Sequence, residues 1–491
     1  QDSIHDGIRA SVLAVAFVIL VMGIHYRFAG ALAIGALGLY VLYSAGGLAV
    51  FGFALSLPGL AGFALAIGMA VDANVLIFER IREELATGKP PGRAVHAGFR
   101  NAMGAIVDSN VTTALTALVL YAIGTGPVRG FAVTLLVGLA ASMFSAVFVT
   151  RTFFLVWLKA RPALRTIPMR TVGFLSRAKL DFLAVRRWAY GLSMAFIVPG
   201  ILWLALQGVT YSIEFTGGTM VHVETAEGVG ADQLRGAMRA AGLPGAEIQR
   251  FGSDREYVIR ARLDETTAGD GGREAVRAAV DTALERELGA GTYEVGRSEA
   301  VSPRVGAELQ QKALIATAVS FATTLIYLAF RFEWRFGLAA VLATAHDILA
   351  TVAFIRYLDL EVSLVVVAAI LTVLGYSLND TIVIFDRVRD HLRRRGNRTF
   401  AQVLNAAINE TLPRTVLTGG TTIATALVLS FLAGTVIKPF ALVMTFGIVV
   451  GTFSSIFVAP PILHWVVERV REPRAVEAEL DRGLGFGDVK A

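Results

Sequence analysis

Repeated runs of about 20 apolar residues constrain this chain more than any other feature of it. A helix of that length crosses a hydrocarbon layer of ~30 Å, where the backbone can satisfy its polar groups only within itself. About eleven such runs are legible, near 9–25, 28–46, 53–79, 103–123, 129–157, 188–206, 309–330, 336–356, 361–385, 412–434 and 438–467. With 55% hydrophobic and 17% charged residues over 491 positions, the chain is too apolar for a soluble protein of this size. It reads as a polytopic α-helical membrane protein.

Charge placement orients it. Lys/Arg-rich stretches occupy 80–100, 159–187, 387–398 and the tail from Arg469, whereas turns such as GTGPVRG and YLDLE are short and nearly free of basic residues. By the positive-inside rule the basic loops are cytoplasmic, and all four agree with one threading. The net charge of +6 reflects that topology and not nucleic-acid binding. With no cysteine, disulfides, thiol catalysis and thiolate-bound metal are excluded, and the seven histidines lack zinc-type spacing. The chain opens on Gln1 with no basic segment before the first apolar run, as expected if it was processed or if its natural start lies upstream.

One long hydrophilic stretch, 207–305, interrupts the spans, and the threading puts it outside the cytoplasm. Its pieces run strand (SIEFTGGTMVHVET), helix (ADQLRGAMRAAG), two strands (IQRFGS and YVIRAR), helix (GREAVRAAVDTALEREL) and strand (TYEVGRS), with DETTAGDGG as a loop. That β-α-β-β-α-β order predicts a small ferredoxin-like α+β domain.

The spans repeat. Setting Phe78-Glu79-Arg80 on Phe385-Asp386-Arg387 aligns Asp72 with Asn379 and Ala73 with Asp380. After a two-residue shift, Thr112-Thr113 fall on Thr421-Thr422 and Gly130-Phe131 on Pro439-Phe440. Two pseudo-symmetric six-helix halves are expected, as in parallel-repeat transporters, with the first helix of the first half absent from this chain. The expected organisation is a first membrane half (1–158), a basic linker (159–187), the first span of the second half (188–206), the hydrophilic domain (207–305), the rest of the second half (306–468) and a tail (469–491).

The intramembrane polar residues carry the chemistry. An ionised carboxylate at mid-bilayer costs on the order of 3 kcal/mol or more, so it must pair, face the interior or take up a proton. Asp380 lies about two turns before the charged end of its helix. Arg414, after a break expected at Pro413 and at the start of the next span, is its nearest counter-charge, and Asp72 holds the equivalent place in the first half. Arginine keeps its proton, so titration falls on the acids. On the residues alone, a proton relay and an ion pair that merely fixes helix positions are equal readings. Asn379 can hydrogen-bond but carries no proton. Asn74, Asn110, Thr418 and Thr421 fit either a polar wire or interhelical hydrogen bonds. Asp108 is ionisable within a span, and Asp347, beside His346, fits an orienting or a structural role. Glu79, Arg80, Asp386 and Arg387 read as boundary anchors reaching water. Gly419-Gly420 suit close helix approach and not phosphate binding, since no Walker-type lysine follows; ATP is not the direct energy source.

GMAVDANVLIFERIREE (68–84) with DSNVTTALTALVL (108–120), and EFTGGT (214–219) with LGYSLNDTIVIFDRVR (374–389) and LPRTVLTGGTT (412–422), resemble the SecD–SecF family of the bacterial Sec export machinery, in the resistance-nodulation-division superfamily. The likeness covers essentially the whole chain. The family pattern usually has Asp where this chain has Glu214, and the family's first SecD helix and large extracytoplasmic domain are absent from this chain. The resemblance implies that the family's proton-conducting acids and arginine fall on Asp72, Asp380 and Arg414. It implies an accessory motor and not an enzyme, in the bacterial cytoplasmic (inner) membrane and driven by the proton motive force. Implied partners are the SecYEG translocon, SecA, unfolded exported polypeptide and membrane lipid, with YajC and YidC as further candidates. No cofactor is implied beyond the coupling ion, and an Asp among Asn and Thr suits sodium as well as protons. The rival readings are a lipid or small-molecule exporter of the same superfamily and a passive translocon scaffold.

Overall fold

The apolar runs fold as long helices, packed so that their polar positions meet inside the bundle. The computed structural model describes residues 2–470 apart from 54–56, 125, 163, 165–166, 170–178, 227, 242, 244–245, 251–254, 262–269, 290, 302, 394–397 and 433. The first half holds α1 (Asp2–Tyr26), α2 (Phe28–Val50), α3 (Leu57–Ala86), α4 (Pro91–Ile123) and α5 (Gly126–Phe144), which passes through a π-helical turn at Ser145–Val149 into α6 (Thr150–Lys159). After the linker comes α7 (Arg186–Gln207), then a single turn, α8 (Ile213–Thr216), and the sheet domain. The second half continues with α11 (Pro303–Arg331), α12 (Trp334–Tyr357), α13 (Leu364–Arg393), α14 (Phe400–Leu432), α15 (Gly434–Phe457) and α16 (Ala459–Val470). Among the described residues, 11 helical stretches are long and apolar enough to span a membrane. The expected multi-pass architecture is therefore the observed one.

Several helices outrun their apolar stretches, because amphipathic ends such as ERIREELA continue the helix into the basic loops. The break expected at Pro413 does not occur. α14 runs straight through it, so Arg414 sits mid-helix and not at the start of a span. Pro413 removes one backbone bond, a loss offset where α14 packs on α3 and α13.

The sheet domain contains β1 (Gly218–Thr225), α9 (Ala231–Ala240), β2 (Glu247–Arg250), β3 (Glu256–Ala261), α10 (Asp270–Leu288) and β4 (Tyr293–Val301). The strands pair antiparallel in the order β2-β3-β1-β4, the ferredoxin-like arrangement. Val221, Val223, Tyr257 and Ile259 from the sheet meet Leu234, Val280 and Leu284 from the helices in one core. Two expectations change. The stretch read as one strand from Ser212 begins instead with the α8 turn, because Gly217 (φ 70) and Gly218 (φ 123) take left-handed backbone conformations that break it from β1. In the segment read as a loop, 264–269 lies outside the described residues, while Asp270, Gly271 and Gly272 form the first turn of α10.

Within the second half α13 is welded to α15. A Cβ on Gly447 would stand 2.3 Å from a Val373 methyl, and one on Gly451 would stand 3.1 Å from the Ser377 Cβ. Between the halves the packing is reciprocal. Gly68 of α3 faces Thr422 and Thr425 of α14, and Gly375 of α13 faces Thr113 and Thr116 of α4. The two crossings differ in tightness. A Cβ on Gly68 would find ordinary contacts at 3.4–3.7 Å, whereas one on Gly375 would come within 2.9 Å of the Thr116 hydroxyl and 3.1 Å of the Thr113 Cα. Gly375→Ala is therefore expected to lower stability by about 1–3 kcal/mol through overpacking, and Gly68→Ala by much less. Thermal melts of the two purified variants in detergent check this; equal midpoints would contradict the packing argument.

Candidate functional site

A buried polar site lies where α3, α13 and α14 converge. Arg414 of α14 donates from Nη2 to Asp72 Oδ1 of α3 at 2.5 Å and approaches Asp380 Oδ1 of α13 with Nη1 at 3.7 Å. All three side chains are largely withdrawn from the surface. The sequence points to Asp380 as the partner of Arg414, but the hydrogen bond goes to Asp72 and the Asp380 contact is a looser ion pair. One guanidinium thus serves a carboxylate from each half. With both acids ionised, the cluster carries one excess negative charge inside the bundle, an arrangement that burial makes costly unless one oxygen holds a proton. Arg414 Nε and Nη1 have no hydrogen-bond partner here, nor has the buried Asn379 Oδ1.

A cavity of about 20 Å³ adjoins the cluster, lined by Asp72, Asn379, Arg414, Asn110, Ser109 and Thr113 among others. That is room for about one water, and its walls supply the polar partners a water requires. Beside it, the Tyr376 hydroxyl donates to Thr422 Oγ1 at 3.0 Å.

The supporting residues separate. Asn379 and Asn110 line the cavity, with the Asn110 amide also donating to the Ile106 carbonyl at 2.8 Å. Asn74 turns away, accepting from Thr150 Oγ1 at 2.9 Å and donating to the Ala70 carbonyl at 3.4 Å, so it joins α3 to α6. Thr418 and Thr421 donate to carbonyls of their own helix, those of Arg414 (3.0 Å) and Thr418 (2.9 Å). Asp347 is buried at another junction. It accepts from Ser454 of α15 at 2.7 Å and from Ser377 of α13, with His346 Nδ1 at 2.8 Å. Asp108 accepts from Arg331 Nε at 2.7 Å and from the Tyr327 hydroxyl at 2.9 Å, joining α4 to α11 across the halves. Sequence reasoning missed Arg331 and Tyr327, since an arginine at the end of an apolar run looks like a boundary charge.

At the basic ends of α3 and α13 the reading as water-facing anchors is wrong for both arginines. Arg80 and Arg387 are only 7% and 8% exposed. Arg80 of α3 reaches Asp386 (3.3 Å) and Asp390 (3.5 Å) of α13, while Arg387 of α13 reaches Glu83 of α3 (3.1 Å) and Glu410 of α14 (2.5 Å). Repeated motifs that look alike in sequence here clasp each other. Glu79 stays within its own half, paired with Arg82 and accepting from the Tyr26 hydroxyl at 3.0 Å.

The chain's relatives share this plan. Residues 2–160 and 281–469 match the family described as protein export membrane protein SecD/SecF, C-terminal. The chain belongs to the SecD/SecF family. It is 49% identical over 314 residues to the protein translocase subunit SecF of Gemmatimonas aurantiaca, covering 63% of this chain and 93% of that protein. It is 33% identical over 492 residues to SecDF of Brucella abortus, covering 99% of this chain but 64% of the longer relative. A crystal structure of the translocon-associated membrane protein SecDF from Thermus thermophilus superposes with a TM-score of 0.86 at 36% identity, over 96% of this chain and 63% of that one. In this chain the crossed arginines lie between the two repeats.

The clasp makes a measurable claim. Arg80→Met and Asp386→Asn are each expected to destabilise by roughly 1–3 kcal/mol, less than a fully buried pair because Asp386 is about a third exposed. In a double-mutant cycle the two changes together should cost clearly less than their sum, by about 0.5 kcal/mol or more. Strict additivity in detergent melts would mean that the residues do not interact.

Proposed function

We propose that this chain forms the proton-driven part of an accessory motor for protein export. Supporting this is one buried guanidinium held between a carboxylate of each half, with a single-water cavity at its side. Asp72 makes the short bond, so Asp380, with the looser contact, is the acid that takes up the proton first. When Asp380 is neutral, Arg414 and Asp72 form a closed pair. When it ionises, Arg414 must divide itself between two acids, and the balance of attraction across α3, α13 and α14 changes. One charge crossing the membrane field is worth about 2.3 kcal/mol per 100 mV, enough to bias such a two-state element.

In this reading the chain sits in the bacterial cytoplasmic membrane with its basic loops inside and its sheet domain outside. Protons pass from outside to the cytoplasm by way of Asp380 and Asp72. The resulting movement carries the sheet domain and assists exported polypeptide at the SecYEG channel, downstream of SecA. Protein is the proposed substrate in preference to a lipid or drug because the chain's relatives are protein translocase subunits.

A passive scaffold is the rival of another class, and one experiment separates them. Asp380→Asn is expected to abolish the gradient-dependent increment of secretion in cells or vesicles while the protein still assembles in the membrane. Asp72→Asn and Arg414→Met are expected to do the same. Full gradient-dependent secretion by Asp380→Asn would leave only the scaffold. Ion currents through the reconstituted protein under separate proton and sodium gradients identify the coupling ion.

A further inference from the structure

The segment entering the sheet domain is sewn to the connection that begins α13. The Val362 N–H donates to the Thr210 carbonyl at 2.8 Å and the Ser212 N–H to the Val362 carbonyl at 2.9 Å, a short parallel bridge. Thr210 Oγ1 donates to Asp359 at 3.1 Å, and Arg260 of β3 pairs with Glu361 of the same connection. At the centre stands Glu214, whose Oε2 accepts the N–H of Leu364, the first residue of α13, at 2.7 Å and lies 3.4 Å from the Ser212 hydroxyl. A helix start presents unpaired N–H groups and a positive dipole end, and a carboxylate is the complement of both. Here Ser363 Oγ caps locally, accepting the Val366 N–H at 3.3 Å, and the second acceptor, Glu214, comes from the segment entering the sheet domain. Behind it there is no slack: a Cβ on Gly306 of α11 would come 2.7 Å from the Phe215 carbonyl oxygen.

We propose that Glu214 is a positioning residue that fastens the sheet domain to α13, making domain and helix one lever. This rests on the proton-driven reading above and names the joint through which that movement leaves the membrane. Asp380 lies 16 residues along α13 from Leu364, about 24 Å of continuous helix. A tilt or shift of α13 at Asp380 therefore reaches the sheet domain through a capped, hydrogen-bonded junction and not through a slack tether. The position is demanding for a carboxyl. Burial pushes Glu214 above the usual carboxylate range, with Glu299 and Glu361 adding like charge, while the Leu364 N–H and Ser212 pull the other way.

The test uses the absence of native cysteine in the full chain. Spin labels at Val50→Cys, on an 83% exposed residue at the end of α2, and Glu285→Cys, on the exposed face of α10, report the distance between membrane bundle and sheet domain. Glu214→Ala is expected to about double the width of that distance distribution in reconstituted protein. Glu214→Gln, whose amide oxygen still accepts from Leu364, keeps the parent width. Leu364→Pro deletes the donor while leaving a residue that suits the first helical position, and is expected to match Glu214→Ala without relying on its folding. A parent-like width for Glu214→Ala or Leu364→Pro, or broadening by Glu214→Gln equal to that of alanine, overturns the proposal. Asp380→Asn in the labelled parent tests the underlying reading separately. If it leaves the mean distance unmoved while Glu214→Ala still broadens it, the joint stands and the proton-driven movement falls.

Discussion

One arginine between two carboxylates governs this structure. Arg414 cannot shed its charge, and two ionised acids cannot both be neutralised by it. The bundle must therefore either hold a proton at this point or tolerate an uncompensated charge where water is scarce. Everything nearby accommodates that choice. Three helices converge on it, their crossings kept close by glycine and threonine, and the adjoining cavity admits about one water and little else. Since the acids come from different halves, the protonation state is also a statement about how strongly the halves attract each other.

The seam between the halves is built from reciprocal parts. A glycine of each half meets a threonine pair of the other, and an arginine of each half meets acids of the other. Duplication explains why the parts resemble each other. Packing explains why they face: a motif that presents a small residue, an acid and an arginine along one helix face complements a rotated copy of itself. The symmetry is broken at the Arg414 site itself, where Asp72 aligns with Asn379 and the acid of the second half is displaced by one residue. That displacement gives Arg414 two unequal partners.

Much of this was legible in the chain. The eleven spans, the ferredoxin-like order of the sheet domain and the repeat all follow from periodicities that act within one helix or strand. The acids of the site stood out because lipid makes any carboxylate conspicuous. What the sequence could not provide was the partner across the bundle. Nothing local to Arg414 distinguishes Asp72 from Asp380. Nor does anything local tell Arg80 that its acids lie on α13 and not in solvent, because helix periodicity says which face is polar but not which helix it meets. Asn74 and Thr418 show the converse: each sits in a motif with a charged residue of the site, Asp72 or Arg414, yet their hydrogen bonds go to α6 and to the helix backbone. The Pro413 break failed for a related reason, since a proline rule drawn from water overstates the loss when neighbouring helices hold the chain in place.

The glycines of α15 carry a mechanical consequence. Where Gly447 and Gly451 receive Val373 and Ser377, side chains interlock with no lateral room, and Asp347 adds hydroxyl bonds from both helices at the same level. That junction resists sliding as a key resists turning in a lock cut one size too small. The seam between the halves combines one equally tight crossing, Gly375 against Thr113 and Thr116, with ion pairs, whose partners can exchange. Interlocked side chains thus join α13 to α15, hydroxyl bonds tie both to α12, and the ion pairs between the halves are a different kind of contact.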